Sequence, residues 1–308
     1  MIDVRDLRVD YDQVCAVRDL TLHVGPGEIF GLIGPNGAGK TTTLRAMAGL
    51  IEPTYGDVVL NGFDIREQRE EAEQFLGFMP DSAPMYDDLM VWEYLDLFAA
   101  SYKIPRERRK DVVEKYLEMV DLTQKTRSGT TDLSKGMKQR LMLARTLISD
   151  PKVLLLDEPA SGLDPHGRLL LKDILRSLSA QGKTVIISSH ILSELSDFCT
   201  SVGIMEQGQL VLSGPVDQVA ERVLGRGRIR IEILSGTEAL ESLVASHGKA
   251  GSLVHQANAF EFEFDGSQDE VSTLLSELVA AGVQIISFGR IKSDLEEVFL
   301  KVGAKEVS

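Results

Sequence analysis

Gly34-Pro-Asn-Gly-Ala-Gly-Lys-Thr-Thr42 is the stretch of this 308-residue sequence that decides the fold. Its spacing, with four residues between Gly34 and the run Gly39, Lys40 and Thr41, is that of a phosphate-binding loop. Glycines let the backbone curl so that successive N–H groups point inward toward an anion. A helix that begins directly after the loop would add the positive end of its dipole. The stretch therefore predicts a site that binds phosphate groups.

The residues on both sides of this loop fit the same interpretation. Glu28–Ile33 predicts a short buried strand, and Thr41–Ala48 predicts a helix that ends at Gly49. Lys40 would reach the β- and γ-phosphates of a nucleotide, and the Thr41 hydroxyl would coordinate Mg²⁺. The residues expected around the phosphates are Gly34, Pro35, Asn36, Gly37, Ala38, Gly39, Lys40, Thr41 and Thr42.

The composition is that of an ordinary globular protein, with 43% apolar and 26% charged residues. The net charge of −14 argues against a nucleic-acid-binding protein, because nucleic-acid phosphates are bound by clustered lysines and arginines. Cys15 and Cys199 show neither a disulfide framework nor metal-ligand spacing, so a reducing cytosol is the expected setting. We find no secretory signal pattern and no run of the roughly 18–20 apolar residues that a membrane span needs. Any work at a membrane is therefore expected to go through a partner.

The order of the predicted elements indicates an α/β fold. An antiparallel group of strands surrounds the phosphate loop, and residues from about 85 to 150 predict a mostly helical subdomain. Strands and helices then alternate, which implies a parallel sheet with right-handed crossovers. The predicted strands are 2–9, 20–24, 57–60, 153–157, 185–188, 201–205, 228–234, 260–264 and 283–289, and the predicted helices beyond residue 150 are 167–179, 192–198, 237–246, 268–281 and one from Ser293.

A pair of carboxylates follows the apolar strand Val153–Leu156. The carboxyl end of a buried parallel strand is where α/β sheets bind their ligands. Asp157 would hold the Mg²⁺, usually through water, and Glu158 would polarise the attacking water. Upstream, Ser134 is placed as the N-cap of a helix, which leaves free backbone N–H groups for a second contact with an anion.

These motifs occur in the order found in the ATP-binding subunits of ABC transporters, which the sequence resembles over about residues 1–215. The resemblance implies a P-loop ATPase core with an antiparallel β-subdomain and a helical subdomain, followed by a small α+β domain. In family terms, Tyr11 matches the aromatic residue that stacks on the base, and Leu133–Met137 matches the signature. Ser161–Asp164 matches the loop that crosses the dimer interface, and His190 matches the switch histidine. The implied domains are an ATPase domain over 1–220 and a C-terminal domain over 225–308.

The resemblance also implies a mechanism that a single chain cannot complete. Two copies would pack head to tail with two ATP molecules between them, so that Asp164 of each copy lies near the interface. Each ATP would lie on one chain's phosphate loop and be capped by Ser134 and Gly136 of the other. Glu158 would act as the base, and His190 would contact the γ-phosphate. ATP binding would close the dimer, and hydrolysis would reopen it.

Two positions depart from the family's usual pattern. The signature has Lys135 where the commonest form has Gly, and Met137 where it has Gln. This variant resembles the subfamily that serves drug, antibiotic and gliding-type exporters. Asp81 stands where the family usually has a Gln that touches Mg²⁺ and the water, and an ionised carboxylate cannot donate a hydrogen bond. Asp81 has two open interpretations, a retained metal contact through water and a purely structural or transmission role.

Two further segments are interpreted through the same resemblance. Asp81–Leu89 resembles the surface where an integral membrane permease docks a short cytoplasmic helix. Met85, Tyr86 and Leu89 would supply the apolar contacts there, and local core packing is the alternative. The C-terminal stretch Ser293–Leu300 resembles the end of exporter-type ATPases, and it carries either packing residues or a role in dimer stabilisation or regulation.

The sequence therefore leads to three hypotheses of different kinds. The first is an energy-coupling ATPase that uses ATP and Mg²⁺, works as a homodimer beneath a separate permease, and lies on the cytoplasmic face of the cell membrane. The second is a soluble ABC ATPase that acts on ribosomes or DNA, which the acidic charge and the single cassette disfavour. The third, suggested by Asp81 alone, is a catalytically weak regulatory subunit, against which Glu158 and His190 argue.

Overall fold

The phosphate loop joins a strand and a helix in a computed structural model of the chain. The structure describes residues 1–82, 85–191, 195, 198–216, 218–219, 227–256 and 259–290. The chain divides into two units, Met1–Val216 and Asp217–Ser308.

An antiparallel sheet of the first unit has the strand order β2-β1-β4-β5. Its strands are β1 (Ile2–Tyr11), β2 (Val14–Val24), β4 (Tyr55–Leu60) and β5 (Phe63–Asp64). β1 extends two residues beyond its predicted end at residue 9, and its last residue, Tyr11, pairs with Val14. The turn between them needs only residues 12 and 13, since Asp12 adopts a left-handed φ of 47° that suits a tight hairpin.

The phosphate loop belongs to a second sheet, whose strand order is β10-β9-β3-β8-β7-β6. Its members pair in parallel from β9 to β6, and β10 pairs with β9 antiparallel. Most of these strands are buried on both faces, so their sequences are apolar runs rather than alternating apolar and polar residues. The strands are β3 (Ile29–Ile33), β6 (Leu76–Met79), β7 (Val153–Leu156), β8 (Thr184–Ser189), β9 (Ser201–Glu206) and β10 (Gln209–Pro215).

The α-helices described for the first unit fall inside the predicted helical segment only between Val91 and Leu147, and the others lie outside it. They are α1 (Lys40–Met47), α2 (Arg69–Glu73), α3 (Val91–Ser101), α4 (Arg106–Met119), α5 (Lys135–Leu147) and α6 (Pro165–Ala180). Of the helix predicted over 192–198, only residues 195 and 198 are described. Among the described residues, no helix combines the length and the apolar character that crossing a lipid bilayer requires.

The second unit has the predicted α+β character. Its elements follow the order strand, helix, strand, strand, helix, strand, and the antiparallel sheet has the order β12-β13-β11-β14. Apolar side chains such as Ile231, Phe262 and Leu274 fill the space between sheet and helices. The elements are β11 (Gly227–Ser235), α7 (Thr237–Ser246), β12 (Val254–Gln256), β13 (Ala259–Phe264), α8 (Gln268–Ala280) and β14 (Gln284–Arg290). The helix predicted from Ser293 lies outside the described residues.

The sheet register brings the functional segments to one edge. In the parallel sheet β8 lies between β3 and β7, with Leu32 opposite Ser188 and Leu156 opposite Ile187. The carboxyl ends of the three strands therefore meet at the edge where the phosphate loop leaves β3. Asp157 and Glu158 leave β7 at the same edge.

Truncating a core side chain of β7 tests this arrangement. Leu155 is fully buried, so Leu155→Ala is expected to lower the free energy of unfolding of the first unit by about 2–5 kcal/mol. Leu169→Ala on α6 is the control, because Leu169 is 59% exposed and its loss should cost less than about 0.5 kcal/mol. Urea titration followed by fluorescence of Trp92, the single tryptophan of the sequence, reports on this unit. Equal losses in the two variants would contradict the buried position of β7.

Candidate active site

The phosphate loop leaves no room for side chains at two of its glycines. A Cβ atom on Gly34 would lie 2.3 Å from the Met205 carbonyl oxygen. Gly39 has a φ of +101°, and a Cβ there would lie 2.5 Å from the Ala16 carbonyl oxygen. The strands on either side therefore force the loop into a narrow path that only glycine follows at these positions.

Lys40 is the first residue of α1 and is only 6% exposed. Its Nζ donates to the Gly34 carbonyl oxygen at 2.7 Å and to the Pro35 carbonyl oxygen at 3.1 Å. It also lies 3.6 Å from Glu158 Oε1. Burial lowers the pKa of the Lys40 ammonium, and the carboxylates of Glu158 and Asp157 oppose that shift. The ammonium thus links the phosphate loop to the end of β7.

A cavity of about 380 Å³ opens over the phosphate loop. It unites most of the residues that the sequence predicts from separate motifs. Gly34 and Ala38 do not line it but shape the loop, and Ala38 N donates to the Pro35 carbonyl oxygen at 3.1 Å. The cavity is lined by Ala16, Pro35, Asn36, Gly37, Gly39, Lys40, Thr41, Thr42, Asp81, Glu158, Ser161 and His190.

Ala16 and Ser161 are lining residues that sequence reasoning did not include among the site residues. Ala16 lies on β2 and reaches the cavity because its carbonyl group packs closely against Gly39 and Gly208. Nothing in the local sequence marks that contact. Ser161 carried a signal, since it begins the segment Ser161–Asp164 that resembles the interface loop.

Glu158 and His190 form a pair at the mouth of the cavity. His190 Nδ1 lies 2.9 Å from Glu158 Oε2, within hydrogen-bonding distance. The His190 side chain is about half exposed, whereas that of Glu158 is mostly covered. A carboxylate held between a histidine and the Lys40 ammonium is oriented toward the cavity and can accept a proton from a water molecule there.

Asp157 lies just behind Glu158 and is 1% exposed. Its Oδ1 accepts a hydrogen bond of 2.7 Å from the Ser188 hydroxyl. Its Oδ2 is buried and has no hydrogen-bond partner among the residues that the structure describes. A buried carboxylate oxygen without a partner is costly unless something binds it, and hard oxygen ligands of this kind suit Mg²⁺. With Thr41 lining the neighbouring cavity, the residues present fit a magnesium ion.

Asp81 follows β6 and reaches the same cavity. Its position is fixed because β6 pairs with β7, with Met79 opposite Leu156. In addition, Asp157 N donates to the Met79 carbonyl oxygen at 2.8 Å. Asp81 itself is exposed. The structure thus brings the Asp81 carboxylate to the edge of the cavity that Thr41 and Glu158 also line.

Besides Gly34, Ala38 and Asp157, four more predicted site residues are absent from the described lining of the cavity: Tyr11, Ser134, Gly136 and Asp164. Ser134 caps α5 by accepting a hydrogen bond of 3.2 Å from Met137 N. Asp164 caps α6 in the same way, accepting from Gly167 N at 2.9 Å. Tyr11 is 44% exposed at the end of β1. Within the described part of a single chain, these four residues therefore do not contribute to the cavity over the phosphate loop.

A second cavity of about 490 Å³ lies beside the segment that contains Asp81. Its lining is largely apolar with two arginines, Arg45 and Arg145, and it includes Phe78, Pro80 and Ser82. Residues 83 and 84 lie outside the described part of the chain. This groove adjoins the proposed docking segment.

The segment Met85–Leu89 has features of both interpretations proposed for it, a docking surface and local core packing. Tyr86 is 50% exposed, which suits a contact surface. Its carbonyl oxygen accepts a hydrogen bond of 2.8 Å from the Thr130 hydroxyl, which ties the segment locally to the helical part of the unit. Met85 and Leu89 are half-buried. The two interpretations of these residues therefore both remain open.

Comparisons with known proteins agree with this geometry. The family model described as ABC transporter matches residues 17–161. A model described as an AAA domain, putative AbiEii toxin of a type IV toxin–antitoxin system, matches residues 130–196. The Nod factor export ATP-binding protein I of Rhizobium etli is 33% identical over 99% of this chain and 94% of its own length.

Solved structures show the same similarity. The structure of an ATP-binding subunit of an ABC transporter is 30% identical, with a TM-score of 0.67, over 73% of this chain and 93% of the solved one. A dimeric ATP-binding cassette bound to ADP and Pi is 23% identical, with a TM-score of 0.65, over 70% of this chain and 99% of the solved one, and this likeness concerns the fold alone. The predicted fold class is thereby confirmed. Together with the full-length relative, these findings establish that the chain is an ATP-binding subunit of the ABC transporter family, with the ATPase chemistry of that family.

Proposed function

We propose that this chain couples ATP hydrolysis to export through a separate membrane permease. The observation that carries the proposal is that one cavity unites the phosphate loop with Glu158 and His190, while Ser134 and Gly136 lie outside it. The first group supplies the chemistry of hydrolysis. The second is left for the ATP of a second copy. Similarity to a protein named for Nod factor export supports the outward direction.

The residues of the cavity divide the chemical work among them. The loop N–H groups and the Lys40 ammonium bind the β- and γ-phosphates of ATP and neutralise charge that develops during hydrolysis. Glu158 accepts a proton from the attacking water, and His190 holds Glu158 in place while contacting the γ-phosphate. Thr41 and Asp157 hold Mg²⁺, with Asp81 as an outer contact. When bound, this ion polarises the phosphate oxygens.

A second copy of the chain completes the site. We place Ser134 and Gly136 of one copy over the γ-phosphate of the ATP held by the other, where the N-terminus of α5 offers free N–H groups. Asp164 lies near the same interface, and Tyr11 stacks on the base. Support comes from ABC cassettes that have been solved as dimers, one of them with ADP and Pi.

The permease is proposed to dock at Asp81–Leu89 and the adjoining groove. Exposed Tyr86 and the apolar groove residues offer contacts of the kind that protein interfaces use. The chain would then be peripheral on the cytoplasmic face of the cell membrane. The ATPase domain is proposed to span residues 1–220, with its helical subdomain at about 85–150, and the C-terminal domain residues 225–308.

Replacing the proposed base separates binding from hydrolysis. Glu158→Gln keeps the shape of the side chain but removes its ability to accept a proton. ATP hydrolysis should fall about 10²- to 10⁴-fold while ATP still binds, so the closed dimer should accumulate. Phosphate release, equilibrium ATP binding and size-exclusion chromatography with ATP measure the three effects.

Glu206→Gln is the matched control for this variant. Glu206 ends β9 at the same edge of the sheet, yet it is absent from the described lining of the cavity. Its hydrolysis rate should stay near that of the unaltered chain. A normal rate in Glu158→Gln would remove Glu158 from the role of base.

Asp81→Ala tests the outer metal contact. Losing a residue that supports a metal ligand set weakens metal binding, so the Mg²⁺ concentration for half-maximal hydrolysis should rise by about tenfold. Asp87→Ala, an exposed carboxylate a few residues away, is the control and should leave it unchanged. Identical Mg²⁺ curves for both variants would leave Asp81 with the structural or transmission role alone.

A further inference from the structure

The peptide of Glu158 is held in an unusual conformation. Its φ of 47° is left-handed, although the residue carries a side chain. Such conformations cost roughly 1–3 kcal/mol and persist only where the surroundings hold them in place. Two buried side-chain groups hold the backbone of Glu158 in this conformation.

One group is the hydroxyl of Ser188, which is fully buried at the end of β8. Ser188 Oγ accepts a hydrogen bond of 2.9 Å from Glu158 N. The same hydroxyl donates to Asp157 Oδ1 at 2.7 Å. One buried oxygen thus ties the backbone of the proposed base to the carboxylate of the proposed metal ligand, while Asp157 Oδ2 has no hydrogen-bond partner in the described part of the chain.

A second group holds the next peptide, the one that contains the Glu158 carbonyl group. Gln139 on α5 is 5% exposed, and its Nε2 donates to the Glu158 carbonyl oxygen at 3.1 Å. Ser161 N donates to the same oxygen at 3.0 Å. Gln139 is five residues beyond Ser134 on the helix that Ser134 caps. α5, which the signature residue Ser134 caps, therefore also contacts the backbone of Glu158 in its own chain.

We propose that Ser188 and Gln139 are positioning residues for hydrolysis, which together fix the Glu158 peptide so that its carboxylate faces the water. The inference rests on the proposed role of Glu158 as the base. Neither residue belongs to the described lining of the cavity over the phosphate loop. Their effect is geometric, and a shift of a reacting group by about 1 Å lowers a rate by about 10²-fold. They also connect the base to the metal ligand on one side and to the signature helix on the other.

Ser188→Ala removes both hydrogen bonds of the Ser188 hydroxyl, and Gln139→Met removes the one to the Glu158 carbonyl oxygen, in each case without adding bulk. Each variant should lower kcat for ATP hydrolysis by about 10- to 100-fold, because the Glu158 carboxylate loses its fixed direction. The dissociation constant for ATP, measured by equilibrium binding in the presence of EDTA, should change less than about twofold, since the phosphate loop is untouched. Because the two variants lie on different elements, one of them still tests the proposal if the other fails to fold.

Thr184→Val is the matched control. Thr184 lies on the same strand as Ser188 and is 1% exposed. Its hydroxyl also makes two hydrogen bonds, donating to the Gly25 carbonyl oxygen and accepting from the N-terminal ammonium of Met1. This variant should lose as much thermal stability as Ser188→Ala but keep its kcat. A purely structural role for Ser188 would instead give the two variants the same kcat.

Glu158→Gln, measured in parallel, separates the inference from the function on which it rests. A large loss of kcat in Glu158→Gln together with normal values in folded Ser188→Ala and Gln139→Met would overturn the positioning role alone. A normal kcat in Glu158→Gln would overturn the proposed base and the positioning role with it. Large losses of kcat with unchanged ATP affinity in all three variants would support both.

Discussion

The ammonium group of Lys40 is the charge on which the rest of the site depends. It is nearly buried, and burying a charge is costly unless it is paired and hydrogen-bonded. Two loop carbonyl oxygens and the Glu158 carboxylate provide that compensation. Since these partners leave β3 and β7 on either side of β8, the parallel sheet must hold three strand ends in register for the charge to stay buried. The phosphate loop and the carboxylates are therefore one electrostatic unit.

The same arrangement supports the proposal that one chain offers only part of a site. The cavity over the loop opens outward at His190, and its described lining includes neither Ser134 nor Gly136. These residues begin a different helix, whose first turn has backbone N–H groups without partners inside the helix. An ATP molecule on the loop would thus leave its γ-phosphate uncovered until a second surface arrives. In the proposed account, that surface is the signature segment of another copy. Hydrolysis then requires closure of the dimer.

How far the sequence predicts this molecule depends on how local each feature is. The loop and the carboxylates after β7 were predictable, because phosphate and metal chemistry requires fixed residue types at short spacing. The short strand β6 was missed, since Leu76–Met79 contains Gly77 and has no pattern that distinguishes it. The contacts of Ser188 and Gln139 with Glu158 were also missed, because they join residues 30 and 19 positions apart through tertiary packing. α6 begins at Pro165 rather than at the predicted 167, since Asp164 caps it and proline suits the first helical position.

The central claim is that the site is completed by a second copy of the chain, and the rate of ATP hydrolysis per chain at saturating Mg²⁺ and ATP tests it most directly. The rate is measured over a range of chain concentrations, with sedimentation under the same conditions giving the fraction of dimer. The account predicts that the rate per chain rises with concentration and follows the dimer fraction. A rate per chain that stays constant where the protein sediments as a monomer would contradict it.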